Sequence, residues 1–444
     1  MGSESDGLRR RLVGGERRDE RVEEDRSEGW WEVMVQVTPP YLCAGLGMVM
    51  AGLVLDTVQY WPVFQATPEL FILVPALIGL KGNLEMTLAS RLSTHANLGH
   101  LQTLQQTTEL GSANLALIQV QGVVVGALAS LLAITMSWLA DSSRADLSRA
   151  LLLLVSSVVT ASAASFLLGL VMVAVIALSR RYQVNPDNVA TPIAAALGDL
   201  VTLSLLAFTA NLLLTSSLGV VLSLLSCYFV ITPLCVSKAS SNVNTASILQ
   251  QGWTPVLSAM IISSMGGKIL NTVISRYPQI AVFQPVINGV AGNLVGIQAS
   301  RISTELHRTT SLGTLPASLS SCNLLNPLYS FSPTSCSTSP MMKSNATAAL
   351  VLLFLVVPGH LVFNLAIGLS QGFTALSSVF LFLYLSAALL QVGLLLHLAN
   401  VMVHNMWARA VDPDNSAIPY LTALGDLLGG AALALVFNLM EVLD

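Results

Sequence analysis

Two aspartates close the same local context in distant parts of the chain: Ala196-Leu197-Gly198-Asp199 and Ala423-Leu424-Gly425-Asp426. Each lies in an otherwise apolar stretch, downstream of a Pro-Asp-Asn triplet at 186–188 or 413–415. An ionisable side chain near a bilayer centre costs about 2.5–3.5 kcal/mol on insertion scales, so one that is kept there is a functional candidate. Carboxylates are hard oxygen ligands suited to Mg²⁺ or Ca²⁺, and two facing one axis repel unless a cation or a proton intervenes. The five cysteines show no CxxC and no His-Cys metal spacing, which argues against zinc or copper. The plainer alternative is that each Asp caps a neighbouring helix or pairs with a lysine, while Gly198 and Gly425 permit close packing.

Four further ionisable residues stand in apolar stretches: Asp56, Lys81, Glu85 and Lys268. Lys81 and Glu85 are four apart, on one helix face, where mutual neutralisation is the simplest account. Gly82-Asn83 and Gly292-Asn293 recur in two similar segments. Such a pair can loosen a helix and expose carbonyl oxygens, which is tolerated only where backbone lines a cavity. The competing reading is that the glycines serve packing. His360, His397 and His404 have no repeated partners and read as packed or interfacial residues.

The elements that must hold these groups follow from composition. Of 444 residues, 53% are hydrophobic and only 10% are Asp, Glu, Lys or Arg, against about 25% in soluble domains. Residues 1–32 alone hold 17 of the 44 charges, so the rest of the chain is too poor in charge to be a soluble enzyme. A net charge of −4 gives no hint of nucleic acid. The first residues mix Arg with Asp and Glu and have no apolar core, unlike a presequence or signal peptide, so 1–36 reads as a charged tail. Spanning helices, about 20 apolar residues each, are expected near 38–60, 69–92, 113–139, 149–179, 191–213, 216–236, 253–274, 279–303, 348–370, 375–404 and 417–440. With these eleven spans and the N-terminus inside, 15 of 20 Lys and Arg fall on the inner side and three (Arg144, Arg149, Arg276) outside. The one long loop, 305–347, reads as a flexible cytoplasmic linker, which would keep the Asn345-Ala346-Thr347 sequon from luminal glycosylation.

An internal repeat organises the spans. VPALIGLKGNLEMTLASRLST at 74–94 matches QPVINGVAGNLVGIQASRIST at 284–304, with ten of 20 positions identical from Pro75/Pro285 onward. PDNVATPIAAALGDL at 186–200 matches PDNSAIPYLTALGDL at 413–427 at ten of 15. Lys81 and Glu85 have no charged counterparts, because Ala291 and Val295 stand at those positions. The expected architecture is an all-α polytopic membrane protein of two parallel five-helix repeats, 37–213 and 251–440, joined by a linking span and loop over 214–250. One extra crossing between two five-span units makes the halves parallel. Repeats of this kind mark transporters, with sites near the midplane at the repeat interface.

The paired LKGNLEMTLASRLST and VAGNLVGIQASRIST blocks, each followed by a P-D-N…P…A-L-G-D stretch, resemble solute carrier family 41, animal relatives of the bacterial MgtE magnesium channels. In the bacterial proteins five helices make one subunit of a parallel homodimer with an Asp of the fifth helix at the pore, and Asp199 and Asp426 match that position. The resemblance implies Mg²⁺ as the transported ion, with exchange against Na⁺ as one coupling scheme and no organic cofactor. No residue here marks a sodium site, and 36 residues cannot supply a bacterial-type magnesium-sensing domain. The metal candidates are Asp199 and Asp426. Gly82, Asn83, Gly292, Asn293, Asp56, Glu85, Gly198 and Gly425 are candidates for the ion path. The expected setting is a multi-pass protein of the cell membrane, or alternatively the mitochondrial inner membrane, with its N-terminus on the cytoplasmic or matrix side. Its partners are the lipid bilayer and the ions, not nucleic acid, and a pseudo-dimer within one chain is able to act as a monomer. A Mg²⁺-permeable channel is the nearest alternative. An intramembrane hydrolase is the alternative from another class, though its dyad would not arise from two copies of one motif.

Overall fold

In the computed structural model the described residues are 29–443, apart from 59, 68, 102, 141–146, 252, 275, 278–279, 317–323, 333–339 and 372–376. The charged tail expected over 1–36 therefore lies mostly outside them, and helix α1 (Trp30–Val58) takes in its last residues. There follow α2 (Pro62–Ala66), α3 (Leu70–Asn97), α4 (Leu104–Ala140), α5 (Leu147–Arg181), α6 (Pro186–Leu214), α7 (Leu218–Ser240) and α8 (Val243–Gln251). The remaining elements are α9 (Trp253–Ile274), α10 (Ile280–Thr309), α11 (Pro327–Phe331), α12 (Pro340–Gln371), α13 (Ser378–Ala408) and α14 (Pro413–Leu443).

Eight of these helices have the length and hydropathy to cross a bilayer: α1, α4, α5, α6, α7, α12, α13 and α14. Eleven spans are expected from sequence. The other three expected positions are taken by α3, α9 and α10, each of which includes residues whose side chains lie outside the described ones. Helices α3 and α10 carry the Ala-Ser-Arg blocks and are largely covered by other helices. Buried helices need no uniformly apolar surface. At the other extreme, α7 leans on α4 and α5 and leaves Phe229, Val230 and Leu234 exposed, a surface suited to lipid.

Helix packing recurs across the repeat. Helix α1 packs on α6 as α9 packs on α14, and α3 on α6 as α10 on α14. Likewise α4 meets α5 where α12 meets α13. The two sets also interlock, with α3 against α14, α6 against α10, and α3 against α10. Small residues allow the closest approaches: a Cβ on Gly266 would stand 2.9 Å from the Asp426 carbonyl oxygen, and one on Gly126 2.9 Å from that of Ser157.

The entrances to α6 and α14 are built alike. After α5, Gln183 takes a left-handed backbone conformation (φ 56°), as Ala410 does after α13 (φ 59°). The chain then turns into an extended residue whose side chain accepts from the backbone N–H two positions on. Asn185 accepts from Asp187 N–H and Asp412 from Asp414 N–H, both at 3.0 Å. Proline follows as the first helical residue, where its missing N–H costs nothing. The Pro-Asp-Asn motif is thus a helix start that aims its aspartate into the bundle.

The linker expected over 305–347 is helical at both ends among the described residues. Helix α10 runs to Thr309 and α12 begins at Pro340, so Asn345 lies in a helix, its carbonyl accepting from Gln298 Nε2 at 3.0 Å. Trp407 Nε1–H donates to the Thr314 carbonyl (2.9 Å), and Ser330 bonds both His397 (2.9 Å) and Asn400 (3.1 Å). These contacts fasten the described parts of the segment to α13.

Candidate functional site

The two repeated blocks meet crosswise at one end of the bundle. Ser90 Oγ–H donates to Asp414 Oδ1 at 2.9 Å, and Ser300 Oγ–H to Asp187 Oδ1 at 2.7 Å. Arg91 donates to Asn415 Oδ1 (3.0 Å) and Arg301 to Asn188 Oδ1 (2.7 Å). Each Ala-Ser-Arg block therefore binds the Pro-Asp-Asn block of the other half. Repeat-equivalent residues also touch each other, Ser90 with Ser300 and Thr94 with Thr304, both at 3.1 Å. A residue can touch its own equivalent only on the axis that relates them. All of these side chains except that of Asn415 are buried, so α3 and α10 close the axis at this end with a hydrogen-bonded crossing.

One position breaks the symmetry of this layer. In the first half Asn97 Nδ2 donates to Asn185 (3.1 Å) and Asp187 (2.8 Å). The equivalent place in the second half holds His307, 3.3 Å from Asp412 and 3.7 Å from Asp414. Burial alone would lower the imidazole's pKa. The bond to Asp412 and the carboxylates of Asp414 and Asp412 reverse that, leaving His307 above its ordinary value. The ligand atoms of His307, Asp412 and Asp414 lie within 4.8 Å of one another, a spacing that would admit a metal ion. The same contacts also serve as a charged helix cap. On α10 nearby, burial raises the Glu305 carboxyl to about 7, with Asp187 adding to it against Arg308 and Arg301.

Asp199 and Asp426 stand further along α6 and α14, beyond their Pro-Asp-Asn starts. Their surroundings differ. Asp426 Oδ2 accepts from Ser263 Oγ at 2.7 Å, and the Asn288 side chain is a second hydrogen-bonding neighbour. Asp199 instead follows Gly198, against which the Lys81–Glu85 pair of α3 lies. Lys81 and Glu85 form a fully buried ion pair on α3, as their spacing suggests. The second carboxylate oxygen of Glu85 has no hydrogen-bond partner among the described residues and lies against Gly198, where an added Cβ would overlap it. Gly425, the equivalent glycine, faces Leu395 Cδ1 at 3.5 Å and the Gly292 backbone at 3.9 Å.

The Gly-Asn pairs are not helix breaks: α3 and α10 run unbroken through both. An internal helix in a low-dielectric setting keeps its ladder because no water replaces a lost bond. Asn83 accepts from the Thr422 hydroxyl of α14. Asn293 is fully buried with neither amide atom hydrogen-bonded, and Gly292 lets α10 approach Thr422 and Gly425. Gly82 has open space beside it. The side chains of Asp56 and Lys268 lie outside the described residues. His360 and His404 are packed, against Tyr384 and the Asn400 carbonyl.

Sequence reasoning singled out the repeated blocks but gave no role to Ser90, Ser300, Asp187 or Asp414, nor to Ser263, Asn288 and His307. For the first four a signal existed in the identity of ASR and PDN between the halves. For the others it did not, because Ile78 and Asn97 stand where Asn288 and His307 would have been repeated.

Long apolar helices around buried carboxylates, supplied twice by one motif, define a polytopic membrane protein of the transporter class. The MgtE family, described as a divalent cation transporter, matches residues 74–209 and 284–436. Solute carrier family 41 member 2 of Xenopus laevis is 47% identical over 99% of this chain and 77% of its own length. Member 3 of Rattus norvegicus is 48% identical over 91% and 86%, and member 2 of Homo sapiens 48% over 91% and 70%. No solved structure matches significantly. The chain belongs to solute carrier family 41, within the MgtE-type divalent cation transporters.

Proposed function

We propose that this protein moves Mg²⁺ across its membrane through a central site formed by Asp199 and Asp426, on the axis between two parallel five-helix repeats. The observation that carries the reading is the duplicated Ala-Leu-Gly-Asp motif, borne on α6 and α14, each of which packs against helices of both repeats. Mg²⁺ dehydrates reluctantly and is commonly held by one or two carboxylates plus waters. Two aspartates neutralise the ion without caging it, and weak binding permits release. The buried crossing at Ser90–Ser300 and Thr94–Thr304 favours a gated carrier over an open channel, since one end of the axis must part for an ion to pass. Exchange against Na⁺ is the coupling we assign to it. The N-terminus and the crossing then face the cytoplasm, and the cell membrane is the expected location.

Purified protein in liposomes tests this, with Mg²⁺ flux followed with and without a sodium gradient. Asp199→Asn and Asp426→Asn should each cut flux strongly, and the double variant should lose little more, because two ligands of one ion act as a unit. Normal flux in either single variant would remove the shared site. Flux indifferent to sodium would remove the exchange.

A further inference from the structure

We propose that Lys81 is a tethered cation on the Asp199 side of the central site, and that its division between Glu85 and Asp199 sets how tightly a divalent ion is held. The inference rests on the central-site reading above. Three observations lead to it. The two aspartates, identical in sequence context, differ in their neighbours: Asp426 accepts from the Ser263 hydroxyl, whereas the Lys81–Glu85 ion pair lies against Gly198, next to Asp199. The ammonium belongs to one half only, because Ala291 and Val295 replace Lys81 and Glu85 in the other. Finally, the Glu85 oxygen that Lys81 does not bond is buried, without a partner among the described residues, and set against Gly198, the residue before Asp199. A pair kept only for mutual neutralisation has no need of that position, whereas an ammonium serving two carboxylates does.

The electrostatic consequence is specific. Lys81 bonded to Glu85 leaves Asp199 mostly free to attract an incoming cation. Swung toward Asp199, the ammonium fills that half of the site and repels the ion. Glu85 therefore acts as a holder that keeps Lys81 aside, and Lys81 as a competitor that keeps binding weak enough for release. Asp426, which accepts from the Ser263 hydroxyl and, among the described residues, is paired with no ammonium, is the side that retains the ion. Two unit charges a few ångströms apart interact strongly at the effective dielectric of a protein interior, and a divalent ion doubles the effect. A change of at least about tenfold in affinity is expected when the ammonium is moved or removed.

Two variants separate this from a structural ion pair. Glu85→Gln keeps the shape of the holder but frees the full charge of Lys81 for Asp199, and should weaken Mg²⁺ binding. K81A/E85V installs the residues that the second half itself uses, with no net change in charge, and should tighten binding while slowing turnover. Titration calorimetry of the full chain in nanodiscs with Mg²⁺ alone gives the affinities, and liposome flux gives the turnover. Opposite shifts of about tenfold or more are the expected result. Shifts in one direction, or none in K81A/E85V, would show that the pair only neutralises itself and would overturn the proposal. Asp199→Asn measured alongside distinguishes the two levels. Weakened binding there with unmoved pair variants sinks only the role of Lys81, whereas unchanged binding there sinks the central site as well.

Discussion

Substituting alanine at Gly198 and at Gly425 makes the same chemical change at two repeat-equivalent positions, and the structure expects unequal outcomes. An alanine Cβ at Gly198 would overlap Glu85 Oε2. Glu85 is buried and its other oxygen is held by Lys81, so moving clear costs it that packing and ion pair. Overpacking of this kind costs about 1–3 kcal/mol. At Gly425 the nearest side-chain atom would be Leu395 Cδ1, at 3.5 Å, an ordinary contact. Both substitutions gain the same helix propensity, about 1 kcal/mol for Gly to Ala, so the difference between them isolates the overlap at about 1–3 kcal/mol. Thermal unfolding of the purified variants, followed by loss of the monodisperse chromatographic peak, should place G198A several degrees below G425A, with G425A at or slightly above the unsubstituted protein. Adding K81A/E85V to G198A removes the obstructing carboxylate and should recover most of the loss. Equal melting of the two alanine variants, or no recovery in the triple variant, would refute the account of Gly198 as a seat for Glu85.

Three further outcomes follow from the crossing layer and the topology. Ser90→Ala and Ser300→Ala should each destabilise by about 1–3 kcal/mol, by leaving a buried carboxylate short of a donor. The double variant should lose less than the sum because the two hydroxyls touch, and strict additivity in unfolding measurements would contradict the shared crossing. His307→Asn installs the residue of the first half, Asn97. Since the folded protein raises the imidazole's pKa, the stabilisation that His307 supplies is full below its ordinary value of about 6.5 and is lost as pH rises through its higher folded value. The melting difference between unsubstituted protein and H307N should therefore shrink from about pH 6 to about pH 9, and a gap independent of pH would rule out the charged cap. Epitope tags at the two termini, probed before and after permeabilisation, should report opposite faces. Equal accessibility in intact cells would overturn an odd number of spans.

Much of this protein is legible from sequence because hydropathy and repetition are local properties. An apolar run long enough to cross a bilayer announces itself, and two copies of ALGD within such runs point to paired carboxylates with no coordinates at all. The repeat also indicated which blocks matter. Their pairing was not legible. Ser90 meets Asp414 across 324 positions of chain, and Ser300 meets Asp187 across 113, through a crossing of α3 and α10 that no local pattern encodes. The Gly-Asn pairs show the opposite failure. Their composition argued for a loosened helix, but packing against Thr422 and the lack of competing water keep the ladders whole. The long serine- and proline-rich segment likewise read as a linker, because its fastening depends on Trp407, His397 and Asn400 from a helix much later in the chain. Sequence by itself determined the membrane class, the helices that make it and the identity of the two aspartates, since each follows from the cost of placing a residue type in lipid. Only the tertiary structure decided that the Lys81–Glu85 pair comes to lie beside one aspartate and Ser263 beside the other, because electrostatics depends on distance in space and not on position along the chain.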